Sequence, residues 1–143
     1  MKKVLVISGK NRKVHYVSKL YLGARHDFGM MKAEFPPDID WFSNVLLYLD
    51  SGFQGVEKTY QAGAVRMSIR RKRVKRGVVN DLSPEQLQYN KEVGKERIYV
   101  EHAIGGMKRY RILSNKIRLK CDLLLDNLIN IAAGLWNFTI ANT

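Results

Sequence analysis

The stretch Asn44-Val45-Leu46-Leu47-Tyr48-Leu49-Asp50-Ser51-Gly52 indicates how the chain folds. Asn44 to Leu49 form an apolar run of strand length, which is typical of a parallel strand covered on both faces. Asp50 follows directly, and in open α/β sheets ligands gather at the carboxyl ends of strands. Taken alone, Asp50-Ser51-Gly52 is better explained as a turn, so the carboxylate needs further support to count as a site.

The N-terminal part of the chain predicts further strands around this one. Lys3–Ser8 has the pattern of a short buried strand, and Gly9-Lys10-Asn11 is a turn signal. Lys13–Leu20 alternates and is rich in β-formers, so the two segments predict a hairpin. Asp27 then predicts a cap for a short helix over Phe28–Glu34, and a weaker strand fits Ala64–Ile69.

Two helices are predicted in the second half. Ser83-Pro84-Glu85-Gln86 is a capping-box start, and apolar residues at helical spacing continue this helix to about Leu113. Glycines at 94, 105 and 106 indicate close packing against a sheet or a ligand. A last helix over Asp122–Ile140 is apolar nearly all round, which predicts a buried helix rather than a membrane span, since Asp and Asn interrupt the apolar run.

The composition is strongly basic. The chain of 143 residues carries 25 Lys and Arg against 13 Asp and Glu, a formal charge of +12. Such a surplus is typical of a polyanion-binding protein, most often one that binds nucleic acid, although a membrane surface, a ribosome or a merely soluble basic protein would also fit. The single cysteine, Cys121, cannot form an internal disulfide and indicates a reducing compartment.

The basic residues are concentrated in two segments. Glu101 shares a helix face with Arg97 and Lys108, and such a face is usually a solvated ion-pair ladder. No acidic residue lies between Glu101 and Asp122, however, and a long stretch of one sign suits a phosphate backbone better. The candidate nucleic-acid contacts from both segments are Arg70, Arg71, Lys72, Arg73, Arg97, Lys108, Arg109 and Arg111.

Four strings in collinear order resemble the insertion-sequence DDE transposases, a family of DNA-cleaving and strand-transferring enzymes. They are LDSGFQG at Leu49–Gly55, RIYVEHAIGGMKRYRIL at Arg97–Leu113, GARHD at Gly23–Asp27 and AGLWNF at Ala133–Phe138. The first is similar to the second-aspartate motif of the family. The second is similar to its glutamate helix, with Arg97, Glu101 and Lys108 at the family spacing. The resemblance as a whole covers nearly the entire chain in collinear order.

The resemblance implies a fold and a chemistry. It implies an α/β, RNase H-like mixed sheet flanked by helices, and three carboxylates that hold two Mg²⁺ or Mn²⁺ ions. Asp50 and Glu101 would be two of these catalytic, metal-binding carboxylates, and Arg97 and Lys108 would orient Glu101 or hold DNA phosphates. Two metals suit phosphoryl transfer because they neutralise charge on both the attacking and the leaving oxygen.

The resemblance also implies that one part is missing. The family's first aspartate lies on its first, central strand, which here would precede Met1. We therefore expect residues 1–143 to be a partial catalytic domain that lacks this strand and binds metal weakly. Another transposase chain or a separate N-terminal polypeptide is the partner that would complete it, and whether this chain alone is an enzyme stays open.

Three functions remain in competition after the sequence alone. The first is a piece of a cytoplasmic DNA transposase, associated with the nucleoid in a bacterium. The second is a non-catalytic, basic DNA-binding remnant that regulates transposition. The third is an RNA-binding or ribosome-associated protein. DNA is the expected partner in the first two, and no membrane is expected in any of them.

Overall fold

The computed structural model describes residues 2–72, 75–77, 81–111 and 120–143. These residues form a mixed α/β structure in two compact units. One consists of the described parts of Met1–Glu34 and Ile98–Thr143, and the other of those of Phe35–Arg97. The strands are β1 (Lys2–Lys3), β2 (Val6–Ser8), β3 (Val14–Val17), β4 (Tyr21–Leu22), β5 (Phe42–Leu49) and β6 (Ala62–Met67), and the helices are α1 (Asp27–Glu34), α2 (Val56–Thr59), α3 (Pro84–Lys108) and α4 (Asp122–Ala141).

The first unit contains the predicted hairpin. β2 and β3 pair antiparallel, with Val6 opposite Val17 and Ile7 opposite Tyr16. The chain turns where Arg12 adopts a positive φ of 64° and its amide donates to the Gly9 carbonyl over 3.0 Å. β1 and β4 form a second short antiparallel ladder in this unit. The hairpin prediction is confirmed, with shorter strands than the sequence indicated.

Helix α4 packs against this hairpin and closes the core of the first unit. Val14, Ala103, Met107, Ile129 and Trp136 are among the buried residues of one apolar cluster there. The Asn137 amide donates to the Val14 carbonyl and accepts from the Val14 amide, both over 2.8 Å, so it pairs with strand β3 as a neighbouring strand would. One polar side chain thus satisfies a donor and an acceptor on the same residue of the strand.

Only one of the three glycines expected to pack closely does so. A Cβ placed on Gly106 would lie 2.2 Å from Cε3 of Trp136, whereas Gly94 and Gly105 have open space around them. Gly106 therefore lets α3 approach the Trp136 indole, whose Nε1–H donates to the Arg12 carbonyl over 2.9 Å. Packing was the right physical reason for Gly106 and the wrong one for the other two.

The second unit is built on a parallel pair of strands. β5 and β6 pair with Leu46 opposite Ala64 and Tyr48 opposite Arg66. Three aromatic rings pack at the start of β5. The ring centroid of Phe42 lies 5.4 Å from that of Phe35 and 5.5 Å from that of Tyr60. α3 begins with the predicted capping box, since Ser83 and Gln86 exchange hydrogen bonds of 3.0 and 3.2 Å between side chain and backbone.

Three expectations need correction. The described strands form three two-stranded ladders rather than one continuous mixed sheet. Strand β5 is not covered on both faces, because Val45 and Leu46 are 42% and 48% exposed. Helix α4 buries only one side, and its other side exposes Leu123, Ile131, Leu135 and Phe138. Apolar content therefore identified these elements without showing which of their faces is covered.

Helix α4 is also the one helix in the described residues that is long and apolar enough to cross a membrane. This criterion of length and composition is weak for a single helix, because the core helix of a soluble protein meets it too. Within the first unit, Asp126 of α4 accepts a hydrogen bond from the Leu20 amide over 2.8 Å. The side chains of α4 are thus engaged with the hairpin segment.

Candidate active site

Asp50 lies where the sequence places it, at the carboxyl end of β5. Its backbone stays extended, with φ −74° and ψ 156°, and its Oδ1 accepts a hydrogen bond from the Ser51 amide over 2.7 Å. The carboxylate thereby caps the short 3-10 helix Ser51–Phe53. The turn interpretation and the site interpretation are compatible, because the side chain is still 56% exposed and can meet a ligand.

Arg97 is the charged partner of Asp50. Its Nη2 lies 3.7 Å from Oδ1 of Asp50, and the arginine side chain is only 26% exposed. Both residues belong to the second unit. The resemblance had led us to expect Arg97 to orient Glu101 or hold phosphate; the structure adds an ion pair with the other candidate carboxylate. A cation at Asp50 shields the carboxylate charge in the protein without metal.

Glu101 and Lys108 lie on the second half of α3, which belongs to the first unit. Both side chains are exposed, while Ala103 and Met107 of the same helical segment are buried in the core. Their spacing of two turns keeps them on one side of the helix. The buried residues thus fix the helix, and Glu101 and Lys108 are exposed on one side of it.

Apart from the half-buried Arg97, the predicted basic residues are exposed where they are described. Arg70, Arg71 and Lys72 follow β6, and Lys108, Arg109 and Arg111 lie at the end of α3 and just after it. Arg71 forms an exposed ion pair of 3.3 Å with Asp81, and the Arg109 guanidinium lies 5.7 Å from the centroid of the Trp136 ring. Arg73 lies outside the described residues.

Carboxylate oxygen is the donor that Mg²⁺ and Mn²⁺ prefer, so Asp50 and Glu101 have the right chemistry for a hard divalent ion. The number of donors is too small. No group of three or more His, Cys, Asp or Glu side chains that could hold a metal occurs among the described residues. The donor chemistry therefore fits a metal, whereas a complete cage for two ions is not assembled by the residues that the structure describes.

Two acids outside the predicted site have local roles. Asp27 is the first residue of α1 and pairs with Lys3 at 3.4 Å. Asp40 accepts a hydrogen bond from the Ser43 amide over 3.2 Å, which is a turn contact. Asp27 thus behaves as the helix-terminal residue that we expected, although it lies inside the helix rather than before it.

Sequence reasoning missed a cluster of two tyrosines on one carboxylate. The hydroxyls of Tyr16 and Tyr21 donate to the two oxygens of Glu34, the last residue of α1. Burial, followed by the hydrogen bond to Glu34, raises the pKa of each phenol to about 12. Nothing in the local pattern pairs these positions, because β3, β4 and α1 meet only in the folded unit.

Sequence reasoning also missed a groove in the second unit. A cavity of about 300 Å³ lies between the β5–β6 pair and the first half of α3. Tyr48 and Arg66 line it from the strands, and Tyr89, Val93 and Lys95 line it from the helix. The cross-strand pairing of Tyr48 with Arg66 could not be inferred before the register was known.

Comparison with known proteins supplies the class. The chain matches the family model described as DDE superfamily endonuclease over residues 2–137, and it therefore belongs to that family. Members of this family generally use divalent metals. Among curated proteins the chain is similar to the probable transposase for insertion sequence element IS702 of Microchaete diplosiphon, with 32% identity over 122 residues.

That alignment covers 83% of this chain and 39% of the relative, so the chain spans about two fifths of the length of the curated relative it matches. No solved structure gives a significant match. The family membership expected from the sequence strings is confirmed. The roles of individual residues and the RNase H-like topology rest on further argument.

Proposed function

We propose that this chain is part of the RNase H-like catalytic domain of a DNA transposase, in which Asp50 and Glu101 are metal-binding carboxylates. The observation that carries the proposal is the position of Asp50, exposed at the end of a parallel strand and paired with a half-buried arginine on α3. In open α/β sheets the carboxyl ends of strands are where ligands gather. Family membership supplies the reaction class.

The proposed chemistry is metal-dependent hydrolysis and transfer of a DNA phosphodiester. Divalent ions bound to the carboxylates would neutralise the charge on the attacking and leaving oxygens. In this chain, Asp50 and Glu101 would bind the metal ions. Exposed basic side chains would contact the DNA phosphates. Arginine suits the latter role because its guanidinium binds phosphate through two hydrogen bonds at once.

The basic segments carry the proposed DNA contacts. The contact residues are Arg70, Arg71, Lys72, Arg73, Arg97, Lys108, Arg109 and Arg111. The formal charge of +12 favours a polyanion at long range. Exposed Lys and Arg side chains neutralise phosphates, and counterions are released from the DNA. We propose DNA as the partner and the cytoplasm as the location. A second transposase chain or an N-terminal polypeptide would supply the further carboxylate.

A nicking assay on supercoiled DNA with Mg²⁺ or Mn²⁺ tests the catalytic proposal, with and without a polypeptide that carries the family's first motif. We expect metal-dependent nicking that Asp50→Asn and Glu101→Gln each abolish. Asp38→Asn is the matched control, because Asp38 is an exposed acid in the loop before β5. Nicking that survives Asp50→Asn would remove Asp50 from the proposed site.

The alternative function is a non-catalytic DNA-binding remnant. The absence of a three-donor metal group among the described residues favours it. In that case salt-sensitive DNA binding persists in Asp50→Asn and Glu101→Gln, and no metal-dependent nicking occurs under any condition. Tighter binding to structured RNA than to duplex DNA would instead support the RNA-binding function.

A further inference from the structure

Several residues that line the groove in the second unit are close in sequence to Asp50 and Arg97. Tyr48 lies two residues before Asp50, and the backbone remains extended through Asp50, so both side chains project from the same face of the strand. Arg97, the partner of Asp50, lies one helical turn after Val93, which lines the groove. The groove and the Asp50–Arg97 pair are therefore neighbours along β5 and α3.

Hydrogen bonds hold the walls of the groove together. The Asn90 side chain accepts from the Ile69 amide over 2.7 Å and donates to the Ile69 carbonyl over 3.0 Å. This double contact ties the first half of α3 to the segment that follows β6. Val93 is only 2% exposed and closes the bottom of the groove. The groove is thus formed before any ligand binds, which lowers the entropy cost of binding.

The groove has the chemistry of a base-binding site. Two half-buried tyrosines line it, and neither phenol hydroxyl donates a hydrogen bond to another residue in the described part of the chain. Aromatic rings stack on nucleic-acid bases largely independently of sequence, because every base has a π face. A buried aliphatic floor with aromatic walls suits a flat, partly apolar ring.

The charges of the lining also favour a base over a bare phosphate. Arg66 and Lys95 contribute two cations, and Glu92 and Glu96 contribute two carboxylates, so the lining has no net formal charge. A phosphate would gain little in such a surrounding, whereas an uncharged base finds both hydrogen-bond donors and acceptors there. The cations remain available to the flanking backbone phosphates.

We propose that this groove binds one unpaired nucleotide of the DNA strand next to Asp50, with its base against Tyr48 and Tyr89. The proposal rests on the proposed DNA-cleaving function and adds to it the form of the substrate. A cavity of about 300 Å³ is large enough for a single base. The DNA strand would then reach Asp50 with one base turned out of the double helix. Turning the base out costs the least free energy where the DNA is already single-stranded.

The test is a metal-free titration of the whole chain with a single-stranded DNA oligonucleotide that carries 2-aminopurine, and with its duplex. In the unmodified protein we expect the fluorescence of 2-aminopurine to be quenched on binding, because stacking on a ring quenches it. Tyr48→Leu and Tyr89→Leu should each weaken single-strand binding about tenfold, as the loss of one stacked base predicts. Duplex binding should change less than twofold.

Two control variants keep the test specific. Tyr89→Phe retains the ring and should bind like the unmodified protein. Tyr99→Leu removes a tyrosine of α3 that does not line the groove, and it should also leave binding unchanged. If the leucine variants fail to fold, the presence or absence of quenching in the unmodified protein still decides whether a base stacks on an aromatic ring of the chain.

Binding without quenching, or equal weakening of single-strand and duplex binding, would overturn the proposal. Tighter binding of single-stranded RNA than of DNA would overturn it as well. These outcomes are separate from those of the nicking assay. Metal-dependent cleavage that depends on Asp50 can persist without quenching, and quenching can occur in a chain that does not cleave, so each proposal can fail by itself.

Discussion

Arg97 Nη2 lies 3.7 Å from Oδ1 of Asp50 across the space between α3 and the end of β5. The guanidinium is therefore a cation already placed beside one oxygen of the carboxylate that a metal would bind. The pair is partly exposed, and such pairs contribute about 0–1 kcal/mol because water and salt screen them. Its significance lies in the competition between two cations for one ligand rather than in stability.

Replacing Arg97 should strengthen divalent-metal binding at Asp50. In Arg97→Gln the competing cation is gone, so we expect Mn²⁺ to bind up to about fivefold more tightly. Electron paramagnetic resonance of free Mn²⁺ during a titration measures this directly. Arg71→Gln removes an equally positive but exposed residue and should leave the affinity unchanged. Weaker Mn²⁺ binding in Arg97→Gln would instead show that Arg97 orients Asp50 for the metal.

The two adjacent glycines of α3 should respond to alanine in opposite directions. Gly106→Ala places a methyl group 2.2 Å from Trp136, and we expect the free energy of unfolding to fall by about 1–3 kcal/mol. Gly105→Ala adds a methyl group in open space and should raise it by about 0.5–1 kcal/mol through helix propensity. Denaturant unfolding of both variants measures the difference. Similar destabilisation by the two substitutions would contradict the packing at Trp136.

Removing the amide of Asn137 should weaken the junction of α4 with the hairpin. Asn137→Ala leaves the Val14 amide and carbonyl without their side-chain partner, and we expect a loss of about 1–3 kcal/mol. Asn130→Ala is the control, because that amide only donates to the Asp126 carbonyl of its own helix. Hydrogen exchange at the Val14 amide gives a local measurement. Protection of this amide that is the same in both variants would contradict the contact.

The two tyrosines on Glu34 should make the protein sensitive to alkali. Their pKa is raised by burial to about 12 in the folded chain, above the ordinary value of 10.0. Because the folded state holds these protons more tightly, the contribution to stability is complete below pH 10 and is lost as pH rises through about 12. Unfolding free energies measured across this range should decrease with pH.

Substitution separates this effect from general alkaline unfolding. Tyr16→Phe and Tyr21→Phe each remove one titrating phenol. In each variant the free energy of unfolding should therefore decrease less between pH 10 and 12. Absorbance of the phenolate during the titration reports how many tyrosines ionise late. An unchanged slope in both variants would mean that these phenols titrate alike in the folded and unfolded chain.

Local pattern was sufficient for the hairpin, for strand β5 and for the two long helices, but not for the β1–β4 ladder or helix α2. Ser83 and Gln86 specify the start of α3 through contacts three residues apart, and Asp50 follows an apolar strand, so both features follow from neighbouring residues. The same local pattern could not give the exposed side of α4 or the exposed middle of β5. Burial depends on which distant segments pack there, and apolar content alone does not record it.

The sequence by itself determined the family, through collinear strings that the family model matches over residues 2–137, and the basic character that favours a nucleic-acid partner. Only the tertiary structure decided that Arg97 pairs with Asp50 and that Tyr48 and Tyr89 share a groove. The physical reason is that these contacts join a strand to a helix some forty residues further along the chain, a separation for which local pattern carries no information.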